Sequence, residues 1–363
     1  MSQSAIVPII DISPLFGSDS AKRLATANEI GKASAEIGFF IIVGHGVDNK
    51  IIDDAWEATR GFFDTSLEHK LTYVKPQHEY PFGYSEMGGE ILSAGKAVEG
   101  NNKDTPVSPP DLKEMFSLGP KDPKSGFPAR IYPSEPSDFA TSWEKYYDTL
   151  AALAQHILRA FALSLQLEDE SFFEHFVDHH ASALRAIHYP AISTDGVLPG
   201  QLRASAHTDY GTITILKSDG PGLQVSKDKS PPTWYDVPHV ENGFIINLGD
   251  LMRRWTNDRW LSTLHRVVIP SSEVSAAWGT NAAGQPVLLS TAQDDQEGGS
   301  RAEGVPATTK RRQSMAFFHN INRDAVVNVL LRSADEQPKH EPIVAGEFLM
   351  QKHLASMKAS AAK

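Results

Sequence analysis

The second half of the chain is made of short β-rich runs, and this pattern constrains the fold more than any other feature. Glycine, proline, asparagine and aspartate separate six such runs after residue 180. The runs are ALRAIHYP, GTITILK, GLQVSK, GFIINLG, TLHRVVIP and RQSMAFFHNI. Many short strands between turn residues are typical of an antiparallel barrel or a double-sheet jelly roll. We therefore predict a mostly β core with flanking helices.

The first half has a different pattern, in which helical spacing of apolar residues alternates with short strands. The longest helical pattern begins at Ser137 or Asp138 as its cap and continues through DESFFEHFVDHH. Residues 75 to 135 are rich in glycine, proline, asparagine and lysine and predict long loops with short elements. The sequence thus predicts an α/β N-terminal region over 1–180, a core over 181–325 and a C-terminal helical segment over 326–363.

One segment of the predicted core is too long for an ordinary loop. Residues 271–310 are polar and rich in glycine, alanine and serine, and they separate two good strand patterns. The piece QPVLLSTA predicts a strand or hairpin arm, whereas DDQEGGSRAEG predicts a mobile stretch. We interpret the segment as an insert that leaves the core.

Composition excludes several functions. The 363 residues carry a formal net charge of −11, which disfavours nucleic acid and anionic membranes as partners. There is no cysteine, so disulfides, thiol nucleophiles and iron–sulfur clusters are excluded. No run of about 18 apolar residues and no secretion signal occurs, and we expect a cytoplasmic protein. The oligomeric state is left open.

A possible metal site begins with the stretch AHTDYGTITIL. On a strand, residues two apart point to the same side, so His207 and Asp209 should project together. A single His-x-Asp pair is weak evidence, because about one is expected by chance in this composition. His265, in the β-rich run TLHRVVIP, is the candidate third ligand. Two histidines and one carboxylate form the facial triad that suits non-haem Fe(II).

Other histidines are weaker candidates for ligands. His239 with Glu241 repeats the spacing, but it lies beside Pro238 in a predicted loop. The rest have structural interpretations: His179 and His180 at a helix end, His188 facing away from Tyr189, His45 in a glycine turn and His319 in a supporting position near a strand end.

Several segments together resemble the iron(II)/2-oxoglutarate-dependent dioxygenases of the isopenicillin N synthase-like family. They are EIGFFIIVGHGV, GYSEMGGEILSAGK with DLKEMFSLG, AHTDYGTITIL, INLGDLMRRWTNDRWLSTLHRVV and RRQSMAFFHN, in the family's order. The resemblance covers about residues 7 to 350. It implies a double-stranded β-helix, a cupin-like jelly roll, as the core.

The resemblance also assigns roles to particular residues. It implies that His207, Asp209 and His265 bind Fe(II), and that Arg312 and Ser314 hold the distal carboxylate of 2-oxoglutarate. A guanidinium suits this task because it binds a carboxylate through two parallel hydrogen bonds. Tyr189 matches a tyrosine that contacts the co-substrate, although Ile187 replaces the usual family asparagine. Asn247 matches a position near the metal.

The implied activity is the oxidation of a small organic molecule, with hydroxylation expected first and desaturation or ring closure as other outcomes. The co-substrates would be 2-oxoglutarate and O2, and the co-products succinate and CO2. Three alternatives remain at this point. The first is a family member that works as an oxidase or cyclase without 2-oxoglutarate. The second is a non-catalytic ligand-binding barrel, and the third is a zinc hydrolase that uses the same three ligands.

The substrate is the least constrained part of the prediction. Arg185 shares a strand face with Tyr189, and Tyr210 and Phe318 are aromatic candidates beside it. An inward arginine needs an anion or acceptors. Such a site suits a small planar or carboxylated molecule, for instance a nucleobase, a phenolic acid or an acyl amino acid. The alternative is that Arg185 pairs with an acidic residue such as Glu114 and only braces the barrel.

Overall fold

The structure is a computed structural model with two facing β-sheets, and helices pack on the outer side of the larger sheet. The described residues are 6–74, 82–88, 109–193, 197–198, 200–228, 231–270, 277–280, 286–289 and 308–361. Every helix in this described part of the chain is too short or too polar to span a bilayer.

The larger sheet contains eight of the described strands. In chain order they are β1 (Ile9–Asp11), β2 (Phe39–Val43), β3 (Gly83–Ser85), β4 (Glu114–Leu118), β5 (Ala183–Tyr189), β7 (Ile213–Ser218), β10 (Phe244–Leu248) and β14 (Arg312–His319). In space their order is β1-β2-β10-β7-β14-β5-β4-β3, and the first pair alone is parallel among these pairings.

The smaller sheet contains β6 (Ala204–His207), β8 (Leu223–Ser226), β9 (Trp234–Asp236) and β11 (Leu264–Val267), in the order β6-β11-β8-β9. Among the described strands, two further antiparallel pairs lie outside both sheets: β12 (Ala277–Thr280) with β13 (Pro286–Leu289), and β15 (Val326–Val327) with β16 (Ile343–Val344). Two sheets of short antiparallel strands confirm the predicted jelly-roll class.

The helices are α1 (Ser20–Glu36), α2 (Asn49–Phe63), α3 (Leu67–Leu71), α4 (Phe139–Ser164), α5 (Asp250–Trp255) and α6 (Ala345–Ala361). Helices α1, α2 and α4 cover one face of the larger sheet. Strand alternation explains this arrangement, because Met315 and Phe317 of β14 join the helical core, whereas Arg312 and Ser314 of the same strand face a cavity on the other side.

The prediction of a continuous helix through residue 180 was wrong. Helix α4 ends at Ser164, and Gln166 has a positive φ of 57°, which stops the helical path. The segment DESFFEHFVDHH instead contains a short 3-10 helix, Phe172–Phe176. Asp138 occupies the N-cap position of α4, but its side chain makes no capping hydrogen bond.

The described part of the insert contains the hairpin of β12 and β13. This agrees with the strand predicted in QPVLLSTA. Most of the remaining insert, including the stretch predicted to be mobile, lies outside the described residues.

Candidate active site

His207 and His265 face each other across two neighbouring strands of the smaller sheet. The ladder between β6 and β11 pairs them directly, and their ring centroids lie 4.2 Å apart. Asp209 completes a cluster in which one donor atom from each residue lies within 4.8 Å of the others. The structure therefore brings together the three residues that the sequence singled out.

Asp209 reaches the cluster by a route that strand alternation did not predict. Strand β6 ends at His207, so Asp209 lies in the irregular segment that follows it. The amide of Asp250, the first residue of α5, donates to the carbonyl of Asp209 at 2.8 Å. Gly249 permits this packing, because an added Cβ would lie 2.2 Å from the carbonyl oxygen of Gly211. The sequence reading missed α5, although glycine before DLMRRW offered a signal.

Backbone carbonyls fix the protonation pattern of both histidines. The Nδ1 of His207 lies 2.7 Å from the Ser205 carbonyl, and that of His265 lies 3.0 Å from the Thr263 carbonyl. A carbonyl oxygen only accepts hydrogen bonds, so each Nδ1 carries the proton. Each Nε2 is then left with a free lone pair directed at the cluster, which is the form that binds a metal.

The two oxygens of Asp209 have different tasks. Oδ2 accepts hydrogen bonds from Thr214 Oγ1 at 2.5 Å and from Asn247 Nδ2 at 2.6 Å. Oδ1 lies 3.8 Å from His207 Nε2 and 3.7 Å from His265 Nε2, too far for hydrogen bonds. Three donor atoms that converge without bonding one another fit a cation between them.

The charges in the cluster suit metal binding. Burial lowers the pKa of His207 to about 3, and the neighbouring His265 acts in the same direction. Burial alone would raise the pKa of Asp209. His265, His207 and the bonds from Asn247 and Thr214 outweigh it and lower that pKa below its usual value. A neutral imidazole and a carboxylate are the protonation states that ligate metals.

A cavity of about 200 Å³ between the two sheets connects the cluster with Arg312. Arg312, at the start of β14, is buried, and its Nε donates to the carbonyls of Gly220 and Pro221 at 3.3 and 3.0 Å. Its Nη1 is buried and has no hydrogen-bond partner. Ser314 lines the same cavity two residues further on. This arrangement fits the distal carboxylate of 2-oxoglutarate.

Tyr189 lies beside the arginine, as the register of the sheet requires. It pairs with Arg312 across β5 and β14, and the guanidinium carbon is 5.1 Å from the tyrosine ring centroid. Ile187, which replaces the usual family asparagine, pairs with Ser314 and also lines the cavity. The cavity wall next to Arg312 and Ser314 is therefore apolar at that point.

The predicted substrate residues also line the cavity. Arg185 donates from Nε to Ser117 Oγ at 3.0 Å, and its guanidinium carbon lies 5.5 Å from the Phe318 ring centroid. Tyr210 and Asn247 belong to the cavity wall as well. The proposed brace to Glu114 was wrong, because Glu114 lies on the opposite face of β4 and bonds His188.

The rival histidines do not join the cluster. His239 is exposed in a loop, and His188 points to the helical side, where it stacks on Phe63. His45 bonds the carbonyl of Asn242, and buried His319 bonds Thr212. Sequence reasoning missed other cavity residues: Lys113, Met115, Phe82, Phe127, Leu349 and His353. Alternation along DLKEMFSLG offered a signal for Lys113 and Met115, but no signal placed the residues of α6.

The two-sheet fold, the three converging ligand atoms and the buried arginine in one cavity are the features expected of a metal-dependent oxygenase. Residues 180–278 match the model of the 2OG-Fe(II) oxygenase superfamily, and residues 7–138 match that of the N-terminal region of non-haem dioxygenases in morphine synthesis. The proline hydroxylase buaE of Petromyces alliaceus is 33% identical over 354 residues, covering 93% of this chain and 96% of that protein. The chain therefore belongs to the 2OG-Fe(II) oxygenase superfamily.

Other similar proteins agree. Validamycin A dioxygenase of Streptomyces hygroscopicus subsp. limoneus is 31% identical over 277 residues, with 73% of this chain and 72% of that protein covered. The crystal structure of a full-length Neurospora crassa protein in complex with alpha-KG and thymine has a TM-score of 0.76 at 27% identity and covers 100% of this chain and 99% of its own. The protein is an Fe(II)- and 2-oxoglutarate-dependent oxygenase.

Proposed function

We propose that the chain hydroxylates a small organic molecule, either planar or carboxylated, within the cavity between its two sheets. His207, Asp209 and His265 would hold Fe(II), and Arg312, Ser314 and Tyr189 would hold 2-oxoglutarate. One observation carries this proposal. The same cavity has three converging ligand atoms at one place and a buried, unpartnered guanidinium nitrogen at another.

The residues of the chain would orient the co-substrate and the substrate and surround them with a largely apolar cavity wall. When bound, the ion supplies the coupling of 2-oxoglutarate decarboxylation to oxidation of the substrate. The Arg312 guanidinium would fix one end of the keto acid, and three protein ligands would leave room on the metal for the co-substrates. Asn247 and Thr214 keep Asp209 in one orientation by holding Oδ2. A zinc hydrolase would have no task for the carboxylate anchor.

The charges of the cavity wall favour one class of substrate. Among the described residues that line the cavity, Asp209 is the sole acidic one, and it serves the metal. Three basic residues line the same space: Lys113, which is paired with Asp111 at 3.1 Å, Arg312, which would hold the co-substrate, and Arg185. A substrate ammonium group would be buried without a carboxylate of its own, which is costly. A free amino acid is therefore disfavoured, whereas a planar molecule with oxygen acceptors suits Arg185.

The relatives include one protein named for a free amino acid and one solved with a planar heterocycle. The name of buaE says that it hydroxylates proline, whereas the Neurospora crassa crystal structure contains thymine. The cavity wall of this chain supports the second kind of ligand, since the Arg185 guanidinium lies beside the aromatic ring of Phe318. We propose a heterocycle, a phenolic acid or an acyl amino acid as substrate.

A substrate panel tests the proposal. Pyrimidines, purines, aryl carboxylates, N-acyl amino acids and free amino acids would be incubated with Fe(II), 2-oxoglutarate and O2, with succinate and oxygen uptake measured. We expect succinate formation with members of the first four groups and none above background with free amino acids. Maximal turnover with free proline would contradict the proposed substrate class.

The same assay tests the alternative activity without 2-oxoglutarate. An oxidase or cyclase would consume O2 and substrate while releasing no succinate. The position of Arg312 at the cavity supports the 2-oxoglutarate-dependent reaction. Product formed in the absence of any keto acid would contradict it.

A further inference from the structure

A buried ion pair lies behind the candidate metal ligand His207. Lys113 Nζ is 3.1 Å from Asp111 Oδ2, and the two side chains are 2% and 0% exposed. Neither residue belongs to the cluster of three ligands. A fully buried carboxylate is costly unless its partners satisfy it, so its other contacts indicate what it does.

The second oxygen of Asp111 binds the strand that carries His207. Asp111 Oδ1 accepts a hydrogen bond from the Ser205 amide at 2.8 Å and another from the Ser205 hydroxyl at 2.5 Å. The carbonyl of Ser205 is in turn the acceptor for His207 Nδ1 at 2.7 Å. A continuous chain of hydrogen bonds therefore connects Lys113, Asp111 and Ser205 with the imidazole.

The strand needs this support because its ladder is irregular at Ser205. His265 pairs with His207, but Val267 pairs with Ala204, so the register shifts between the two pairs. Three residues separate the paired positions on β6 and two on β11, which is the signature of a β-bulge. The Asp111 carboxylate supplies an acceptor for the Ser205 amide at this irregularity.

We propose that Asp111, with Lys113 as its counter-charge, is a positioning residue for the iron ligand His207. It fixes Ser205, so the Ser205 carbonyl keeps the proton on Nδ1 and directs Nε2 at the metal. The inference rests on the proposed function, since it takes His207 as a ligand. Losing such a supporting partner typically weakens metal affinity about 10- to 100-fold.

The chain offers a matched control three residues away. Glu114 is also a buried carboxylate paired with a lysine, Lys70, at 2.9 Å. It lies on the opposite face of β4, where it bonds Tyr84 and His188 instead of the strand that carries His207. Glu114→Gln should therefore perturb a buried ion-pair network without disturbing the metal ligand.

The test measures Mn(II) affinity of the full chain by competition with a chelator, in the absence of 2-oxoglutarate. We expect Asp111→Asn to bind Mn(II) at least tenfold more weakly and Glu114→Gln to stay within twofold of wild type. The ¹⁵N NMR signals of His207 in the metal-free protein give a second readout. We expect the Nδ1–H tautomer in wild type and a mixture of tautomers in Asp111→Asn.

Ser205→Ala keeps the proposal testable if Asp111→Asn fails to fold, because it removes one of the two bonds to Asp111. We expect it to weaken Mn(II) binding a fewfold. Wild-type affinity and an unchanged tautomer in the folded variants would overturn the inference, as would equal weakening by Glu114→Gln. If the wild-type protein bound no Mn(II) at the three ligands, the proposed function itself would fail.

Discussion

Removal of the Arg312 guanidinium should weaken 2-oxoglutarate binding while the metal site stays loaded. Arg312 is 3% exposed, its Nη1 is unpartnered, and its Nε is already used by two carbonyls. Truncating one partner of a buried, hydrogen-bonded charge pair costs about 2–5 kcal/mol. We expect the lower part of this range, about 2–3 kcal/mol, because Ser314 and Tyr189 remain. This corresponds to a loss of about 30- to 150-fold in affinity.

The assay is calorimetric titration of 2-oxoglutarate into the Mn(II)-loaded protein without oxygen. Arg311 provides the control, since it neighbours Arg312 in sequence but pairs with Asp64 at 2.7 Å. We expect Arg311→Ala to bind 2-oxoglutarate within twofold of wild type. Arg312→Lys should recover part of the loss, because an ammonium keeps the charge but lacks two parallel donors. Unchanged affinity in Arg312→Ala, or equal losses in both alanine variants, would refute the anchor.

Four further predictions concern other parts of the chain. Asn247→Ala should weaken Mn(II) binding about tenfold, because Asp209 Oδ2 loses one of its two donors; wild-type affinity would contradict this. Arg185→Gln should lower kcat/KM for the identified substrate with little change in 2-oxoglutarate affinity, and an unchanged kcat/KM would remove Arg185 from the substrate site. Deletion of about residues 275 to 305 should preserve metal and 2-oxoglutarate binding, whereas loss of both would make the insert part of the core. Burial lowers the pKa of His319 to about 3. In the unfolded chain His319 is protonated below about pH 6.5, whereas in the folded chain it stays neutral down to about pH 3. The free energy of unfolding therefore decreases as the pH falls from 6.5 toward 3, by up to about 1.4 kcal/mol per pH unit from this group. Urea unfolding at pH 7 and pH 5 should show a smaller difference in His319→Gln than in wild type.

The sequence predicted the strands of the core well because their pattern is local. Alternation is visible in GTITILK, and GFIINLG is a short apolar run between glycines; they became β7 and β10. The apolar spacing after Ser164 wrongly predicted that the helix continues, because such spacing does not show where a residue such as Gln166 adopts a positive φ. Local periodicity thus predicts which faces are buried better than it predicts where an element ends.

The sequence predicted which residues form the candidate site, but it did not predict the helix and the hydrogen bonds that hold them in place. The spacing of His207 and Asp209 suggested convergence, yet the convergence depends on α5 and on the backbone bond from Asp250. The partner of Asp111 lies 94 residues away in sequence, so no local pattern contains it. Long-range hydrogen bonds of this kind follow from the packing of the two sheets and become visible once the strands are placed.

An anaerobic Fe(II) titration of the full chain tests the central claim most directly. We predict one Fe(II) per chain for wild type and for His239→Ala, whose histidine repeats the His-x-carboxylate spacing in an exposed loop. Asp209→Ala and His265→Ala should bind far more weakly while remaining folded. Wild-type binding in either of these variants, or loss of the ion in His239→Ala, would contradict the assignment of the metal site.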